Sequence, residues 1–367
     1  MKRILFGGAF DPIHNGHINM ALSAAKQIGG EVIFLPSKVS VWKTKSVDAK
    51  SKKEMVELAI KDYDFFSMSD FELTHKDNFV YSILTVRHFA ELYPDDELYF
   101  LMGGDQANKF HLWSECETIA KLAQILVFPR KNEDFSNDNI ARFNMKIIDG
   151  VQRSDASMNI RRFKEIDSPY PVIQYIEKNN LYYIPRLKEW YKSRYNHVSS
   201  VADLCYKIAK ANGYDAQKAY IAGFLHDLGK MVDLDDESKD YTAEKTFIDY
   251  ELNGAFRDLP KYAVHQVSGV YYAKKDYEID DEEILNAILW HCTGRDHMTW
   301  IEKIVYAADK IDPTRGYDSS KLIEAMMNDV ESGFVTVLKA NMEYINSKAN
   351  KAADNIYTEK CVEYYLK

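Results

Sequence analysis

Two groups of residues in this chain have the types and spacing to do chemistry. The first is the segment Gly7-Gly8-Ala9-Phe10-Asp11-Pro12-Ile13-His14-Asn15-Gly16-His17, which follows the apolar run Ile4-Leu5-Phe6. Its two glycines let the backbone come close to a ligand, and a helix beginning near Gly16 points free N–H groups and its positive dipole end outward. With two histidines three residues apart in the same loop, a polyphosphate fits there. The second group centres on His226-Asp227, after the apolar run from Ile221 to Leu225. That flank puts the pair at the centre of a helical bundle, where an unpaired Asp costs several kcal/mol and a bound metal is the simplest compensation.

The elements that must hold these residues change character along the chain. Up to about Asn180, strand-like runs at Arg3 to Gly7, Glu31 to Leu35, Glu97 to Met102, Gln124 to Pro129 and Lys146 to Asp149 alternate with helical segments such as Ile18 to Ile28 and Tyr81 to Leu92. Repeated βα units predict a Rossmann-like, doubly wound parallel sheet whose ligand crevice lies outside the carboxyl ends of the strands. The glycine and histidine loop leaves the first strand at that edge. Beyond Tyr183-Ile184-Pro185-Arg186 the strand pattern stops. Apolar residues then recur at helical spacing through Val198 to Ala211, Ala216 to Leu225, Ala263 to Ala273, Ile284 to Trp290, Ile301 to Ala308 and Phe334 to Ile345, which predicts an all-α second half. The fold class is therefore α/β followed by an all-α bundle, with domains at residues 1–184 and 185–367. The acidic stretches Asp233 to Asp240 and Asp276 to Glu283 read as solvated connections.

Composition sets the outer bounds. A chain of 367 residues with 46% hydrophobic residues can build two cores. A net charge of −9 argues against a broad nucleic-acid-binding face, so the ligand is expected to be a compact anion gathered by a few Lys and Arg. No apolar stretch reaches membrane-spanning length, and Met1-Lys2-Arg3 leads directly into a strand without a signal-peptide pattern. A cytoplasmic protein without membrane partners is expected. Cys116, Cys205, Cys292 and Cys361 have no paired spacing, which fits reduced thiols.

The pattern Gly-Gly-x-Phe-Asp-Pro-x-His-x-Gly-His resembles the signature of the HxGH nucleotidyltransferase superfamily, and within it the bacterial nicotinate-nucleotide adenylyltransferases. The resemblance implies that His14 and His17 bind the phosphates of ATP and stabilise charge as the phosphate of nicotinate mononucleotide attacks the α-phosphorus in line. Gly7, Gly8, Phe10 and Asp11 would shape the nucleotide loop. Phosphoryl transfer asks for positioning and charge stabilisation, with no covalent step by the protein, and two imidazoles at a helix N-terminus supply both. Further along, Asp70-Phe71-Glu72-Leu73 with Tyr81-Ser82-Ile83-Leu84-Thr85 is similar to the segment that frames the nicotinate pocket, which brings in Thr85. Gly103-Gly104-Asp105 and Trp113 resemble the strand-end Gly-x-Asp and the tryptophan after it, implying that Asp105 binds a ribose hydroxyl and Trp113 stacks on the pyridine ring. Lys43 and Arg130 stand where the family places basic groups near phosphate. Two departures are visible. Val41-Trp42-Lys43 keeps only the lysine of the family's Pro-His-Lys. Asp155-Ala156-Ser157-Met158-Asn159-Ile160-Arg161 keeps Ser157, Ile160 and Arg161 of its Ile-Ser-Ser-Thr-x-Ile-Arg motif, where a serine N-cap and an arginine still make a phosphate site. The implied reaction transfers AMP from ATP, with Mg²⁺, to nicotinate mononucleotide, giving deamido-NAD and pyrophosphate. Another phosphorylated acceptor, such as phosphopantetheine, is the alternative that the loop alone leaves open.

In the second half, His197, His226-Asp227, His265, His291 and Asp309 together resemble the ligands of HD-domain metallohydrolases. The resemblance implies that His226 binds one metal while Asp227 bridges to a second, with His197, His265, His291 and Asp309 completing a dinuclear centre. Two ions roughly 3.5 to 4 Å apart would activate water and clamp phosphoryl oxygens. His297 and Asp312 read as peripheral. The stretches Trp290-His291-Cys292-Thr293-Gly294-Arg295 and Ala308-Asp309-Lys310-Ile311-Asp312-Pro313 with Arg315 resemble a narrower branch, the bacterial symmetrical diadenosine tetraphosphatases, which split diadenosine tetraphosphate into two ADP with a dinuclear iron centre. Asp227 and Lys230 would then act in catalysis, and Lys230, Arg295 and Arg315 would clamp the polyphosphate. Two alternatives remain: a nucleotide-sensing regulatory module, or hydrolysis of another nucleotide. Imidazole and carboxylate suit several divalent ions, so the metal is not fixed by ligand type, and the oligomeric state is open.

Overall fold

The computed structural model describes residues 1–38, 47–129, 137–150, 156–231, 259–347 and 355–367. Lys43 and Arg130, the departures at Val41, Trp42 and Asp155, and the acidic stretch from Asp233 to Asp240 lie outside the described residues. The chain divides into two units, one of residues 1–161 and 167–182, the other of residues 162–166 and 183–367.

The first unit is built on a sheet of strands β1 (Lys2–Gly8), β2 (Glu31–Pro36), β3 (Phe66–Met68), β4 (Glu97–Gly103), β5 (Gln124–Phe128) and β6 (Lys146–Ile147). Their order is β3-β2-β1-β4-β5-β6, and every pairing is parallel. The central strands are apolar throughout because helices cover both faces: Ile4, Leu5, Val32, Phe34, Leu101, Ile125 and Leu126 have no more than trace exposure. On one face Leu5, Ile33, Leu35, Phe100, Ile125 and Val127 pack against Ile83, Val86 and Phe89 of the helix Ser82–Leu92. The chain runs outward from β1 to β2 and β3, then returns to the other side of β1 for β4. That reversal makes a topological switch point at the carboxyl ends of β1 and β4. Gly7 and Gly8 lie opposite Leu35 and Pro36 on one side, and Phe6 lies opposite Leu101 on the other. The loop with His14 and His17 and the turn with Asp105 therefore emerge beside each other. The short edge strand β3 escapes a sequence reading because three residues, Phe66-Ser67-Met68, show no usable period. The expected strand from Lys146 to Asp149 is only Lys146–Ile147, an exposed edge.

The second unit is helical. Helices Tyr195–Ala211, Ala216–Leu225, His265–Tyr277, Glu282–Trp290 and Trp300–Ile311 form its centre, with Ser320–Asn328, Val330–Ser347 and Ile356–Leu366 following. Starts are set by local chemistry: Asp215 accepts from the N–H groups of Gln217 and Lys218, Asp281 from those of Glu283 and Ile284, and Thr299 forms a capping box with Glu302. The first two helices cross closely at Gly223, where a Cβ would lie 2.9 Å from Cys205 Sγ and 3.0 Å from Ala202 Cα. Trp300–Ile311 runs through the middle of the bundle, burying Ile301, Ile304, Val305, Ala308 and Ile311. The short segment 162–166 belongs to this unit because Phe163, fully buried, packs against Tyr183, Phe224 and Tyr277 at ring-centroid distances of 4.3, 5.7 and 6.2 Å. Among the described residues no helix is long and apolar enough to cross a membrane.

Candidate active sites

In the first unit, β1 ends on the two glycines and the chain folds back on itself. A Cβ at Gly8 would meet the Phe10 ring at 2.9 Å, so glycine there lets Phe10, at φ 42°, turn inward. Phe10 packs on Phe6, Phe34 and His17 at 5.3, 5.6 and 5.0 Å between centroids. His14 is buried and caps the helix Asn15–Ile28, whose third residue is His17. The two imidazoles lie 3.7 Å apart between centroids. His17 Nδ1 accepts from the backbone N–H of His14 at 3.3 Å, so the neutral ring keeps its proton on Nε2 as a donor for an anion.

Residues far along the sequence hold this loop. Arg161 donates through Nη1 to the Asp11 carbonyl at 2.6 Å, Ser157 Oγ to the Pro12 carbonyl at 3.2 Å and Ser168 Oγ to the Ile13 carbonyl at 2.8 Å. Tyr182 donates its hydroxyl to Asp11 Oδ1 at 2.7 Å, and burial followed by the Asp11 carboxylate pushes the Tyr182 phenol up, keeping it a donor. Ser157 and Arg161, expected at a phosphate, thus also brace the loop that would receive it. Lys52 was not foreseen. It is fully buried in the helix Ala49–Ile60 and donates to the carbonyls of Ser37 (2.8 Å) and Lys38 (3.2 Å), while Ser37 N–H donates to the Gly8 carbonyl. Burial pushes the Lys52 ammonium down, against the pull of Asp11.

Asp105 sits in the single turn Gly104–Ala107 directly after β4. Trp113 is half-buried and packs edge-on to Phe100 (6.0 Å) and against Phe110 (5.4 Å), so part of its ring serves the core. Thr85 is fully buried and donates to Glu72 Oε1 at 2.7 Å. Burial pushes the Glu72 carboxyl up to about 7, against the hydrogen bond from Thr85.

In the helical unit, the six expected ligands come together. His197 stands on Tyr195–Ala211, His226 and Asp227 end Ala216–Leu225, His265 opens its helix, His291 ends Glu282–Trp290, and Asp309 lies near the end of Trp300–Ile311. Gly229 allows this convergence, because a Cβ there would lie 2.2 Å from the His265 carbonyl oxygen and 2.8 Å from Gly269 N. The rings are aimed by their far nitrogens. His226 Nδ1 meets the Gly223 carbonyl at 2.7 Å and His291 Nδ1 the Ile288 carbonyl at 2.7 Å, and carbonyls only accept, so both Nδ1 atoms carry protons. Each Nε2 lone pair then faces carboxylate oxygen: His226 to Asp227 Oδ2 at 3.6 Å and Asp309 Oδ1 at 3.7 Å, His291 to Asp227 Oδ1 at 3.6 Å. His197 Nε2, His226 Nε2 and Asp227 Oδ1 are buried and find no hydrogen-bond partner among the described residues. His265 Nε2 lies 3.1 Å from His291 Nε2 and 3.3 Å from Asp227 Oδ1. Lone pairs directed at lone pairs in a dry interior are reconciled by a cation between them, and this donor set of imidazole nitrogen and carboxylate oxygen fits divalent metal. Two clusters have ligand atoms mutually within 4.8 Å, His197 with His226 and Asp309, and His226 with Asp227 and His291.

Electrostatics favour metal-ready protonation states. Burial pushes His226 down to about 3 and His291 down to about 4, so both are neutral donors at physiological pH. Burial would raise Asp227 and Asp309, but the surrounding histidines and, for Asp309, first Lys310 outweigh it and hold both carboxyls well below the ordinary range. Cations complete the site. Arg194 forks onto Asp227 Oδ2, Lys230 Nζ lies 3.3 Å from Asp227 Oδ1, Lys310 Nζ 3.0 Å from Asp309 Oδ2, and Arg315 Nη2 2.5 Å from Asp309 Oδ1. Arg194 and Lys310 had no assigned role in the sequence reading. Arg295, expected as a clamp, instead donates through Nε and Nη2 to buried Glu302 at 3.1 and 2.9 Å. Asp312, expected at the periphery, is instead fully buried and accepts from His197 Nδ1 at 2.8 Å. His297 is exposed and lies against Tyr364.

Each unit has counterparts among known proteins. Residues 5–202 match the cytidylyltransferase-like family and residues 194–314 match the HD domain. A Mycoplasma genitalium protein named "Probable nicotinate-nucleotide adenylyltransferase/Ap4A hydrolase" is 32% identical over 352 residues, covering 92% of this chain and 97% of its own. A Mycoplasma pneumoniae protein of the same name is 27% identical, covering 92% of this chain and 98% of its own. An Aquifex aeolicus protein named "Probable nicotinate-nucleotide adenylyltransferase" is 38% identical over 131 residues, which are 35% of this chain and 77% of its own. The chain belongs to the cytidylyltransferase-like family, in the two-part group that joins this domain to an HD domain.

Proposed function

We propose that the chain is a bifunctional cytoplasmic enzyme of pyridine-nucleotide synthesis. Its first unit transfers AMP from ATP, carried with Mg²⁺, to nicotinate mononucleotide. An oxygen of the mononucleotide phosphate bonds to the α-phosphorus of ATP, the bond to the bridging α–β oxygen breaks, and pyrophosphate leaves with that oxygen. His17 donates through Nε2 to the phosphates, and His14 with the helix N-terminus adds positive potential there. Asp105, Trp113 and Thr85 belong to the acceptor side, where Trp113 offers a face to the pyridine and Asp105 a carboxylate to a ribose hydroxyl.

The second unit hydrolyses diadenosine tetraphosphate symmetrically into two ADP. His197, His226, Asp227, His265, His291 and Asp309 would hold a metal pair, for which iron is the reading that the resemblance supports. When bound, such a pair supplies Lewis acidity and lowers the proton affinity of water. The chain's own cations do the rest: Lys230 and Arg315, which stand beside Asp227 and Asp309, would neutralise phosphates on either side of the broken bond. The observation that carries this half is the set of buried lone pairs on His197, His226 and Asp227 that a divalent cation would reconcile. The relatives that match along almost the whole chain support joining the two activities.

The test is a pair of single substitutions assayed against both reactions. His17→Ala is expected to abolish deamido-NAD formation and leave the production of ADP from diadenosine tetraphosphate intact, and Asp227→Ala the reverse. Loss of both activities in either variant, or of neither, would sink the two-site assignment. Elemental analysis of anaerobically purified protein reads the metal, with iron the expected result.

A further inference from the structure

Resting on the metal-centre reading above, we infer that Asp312 is a positioning residue for the metal-binding face of His197. Asp312 follows the last turn of Trp300–Ile311 and starts the short turn Pro313–Arg315. It is fully buried. Donors saturate it. Oδ2 receives His197 Nδ1 at 2.8 Å and the Thr314 hydroxyl, and Oδ1 receives Ser200 Oγ at 2.5 Å and Thr314 N–H at 3.2 Å.

An ionised carboxylate offers acceptors only, so the His197 nitrogen facing it must carry the proton. That fixes the tautomer with Nδ1–H toward Asp312 and a bare lone pair on Nε2. The same bond fixes the ring's rotation, leaving Nε2 3.3 Å from Asp309 Oδ1 and 3.7 Å from Asp227 Oδ2, with no hydrogen-bond partner among the described residues. His226 and His291 have their far nitrogens fixed by main-chain carbonyls of their own helices. His197, on the second residue after the start of its helix, turns to a side chain 115 positions away for the same service. The carboxylate also makes His197 a more basic ligand than a carbonyl would.

Two measurements test this. The first needs no substitution: ¹⁵N shifts of the His197 ring in the metal-free full-length chain at alkaline pH should show the proton on Nδ1, and a proton on Nε2 overturns the inference. The second compares Mn²⁺ affinity of the wild type with that of Asp312→Asn and Ser200→Ala. Asn has one acceptor oxygen where four donors converge, so the variant should bind Mn²⁺ about 10- to 100-fold more weakly, with mixed His197 tautomers. Ser200→Ala removes a donor from Oδ1 without touching His197 and should bind like the wild type. Deamido-NAD formation, carried by the other unit, should be unchanged in both variants. Equal Mn²⁺ affinity of Asp312→Asn and wild type overturns the role of Asp312 alone. A wild type that binds no Mn²⁺ overturns the metal-centre reading and this inference with it.

Discussion

Glu72 gives a quantitative handle on the first unit. The residue is 8% exposed, and its carboxyl accepts from Thr85 Oγ1 and is pushed by burial from the ordinary 4.5 up to about 7. Between those two values the folded chain holds a proton that the unfolded chain releases. Stability contributed by this group is therefore fully present below pH 4.5 and is lost as pH rises to about 7. At about 1.4 kcal/mol per unit, the loss amounts to roughly 3 kcal/mol at pH 8. Glu72→Gln removes the titration while keeping an oxygen for Thr85 to donate to. The variant should gain about 2.5 kcal/mol relative to the wild type on going from pH 5 to pH 8, whatever its offset at pH 5. Calorimetry of both full-length proteins at the two pH values measures that difference, and ¹³C titration of the labelled carboxyl reads the group directly. A wild-type-to-variant difference that is the same at both pH values, or a Glu72 carboxyl titrating near 4.5, would show that burial does not hold this proton.

Two other substitutions follow from close packing and buried charge. Gly229→Ala places a methyl against the main chain of the His265 helix, where only backbone movement can relieve it. It should cost on the order of 1–3 kcal/mol, and hydrolysis and Mn²⁺ binding should fall while adenylyl transfer persists. Lys52→Met keeps the volume but leaves the Ser37 and Lys38 carbonyls without their buried donor. A cost of about 1–3 kcal/mol per carbonyl is expected, together with a raised KM for ATP and unchanged hydrolysis. Unaltered ATP kinetics in Lys52→Met would separate this lysine from the nucleotide loop.

The sequence made legible whatever repeats locally or sits in a contiguous motif. The βα alternation led to the parallel sheet, helical spacing led to the bundle, and the loop from Gly7 to His17 carried its ligand class within one short stretch. What escaped is held together by partners distant along the chain. Tyr182 reaches Asp11 across 171 positions and Asp312 reaches His197 across 115. No periodicity links such residues, and each alone looks like a surface polar group or a helix end. Lys52 is hidden for a different reason: in Lys52-Lys53-Glu54 it reads as the charged face of a helix, and only the packed structure separates buried Lys52 from half-exposed Lys53. At Arg295, proximity to a ligand motif suggests a substrate contact, and what the motif does not reveal is that Glu302, inside a helix cap, accepts from the guanidinium.

The place of Phe163 affects how this protein can be dissected. The chain changes units after Arg161, after Ile166 and again after Tyr182, so a single cut cannot yield two whole catalysts. A hydrolase fragment begun at residue 183 would be missing the aromatic plug that Tyr183, Phe224 and Tyr277 enclose. An inactive fragment of that kind would report an incomplete core, and would say nothing of whether one activity depends on the other. Point substitutions in the intact chain are the clean genetic tool here, and deletion phenotypes on either side of the boundary mix two causes.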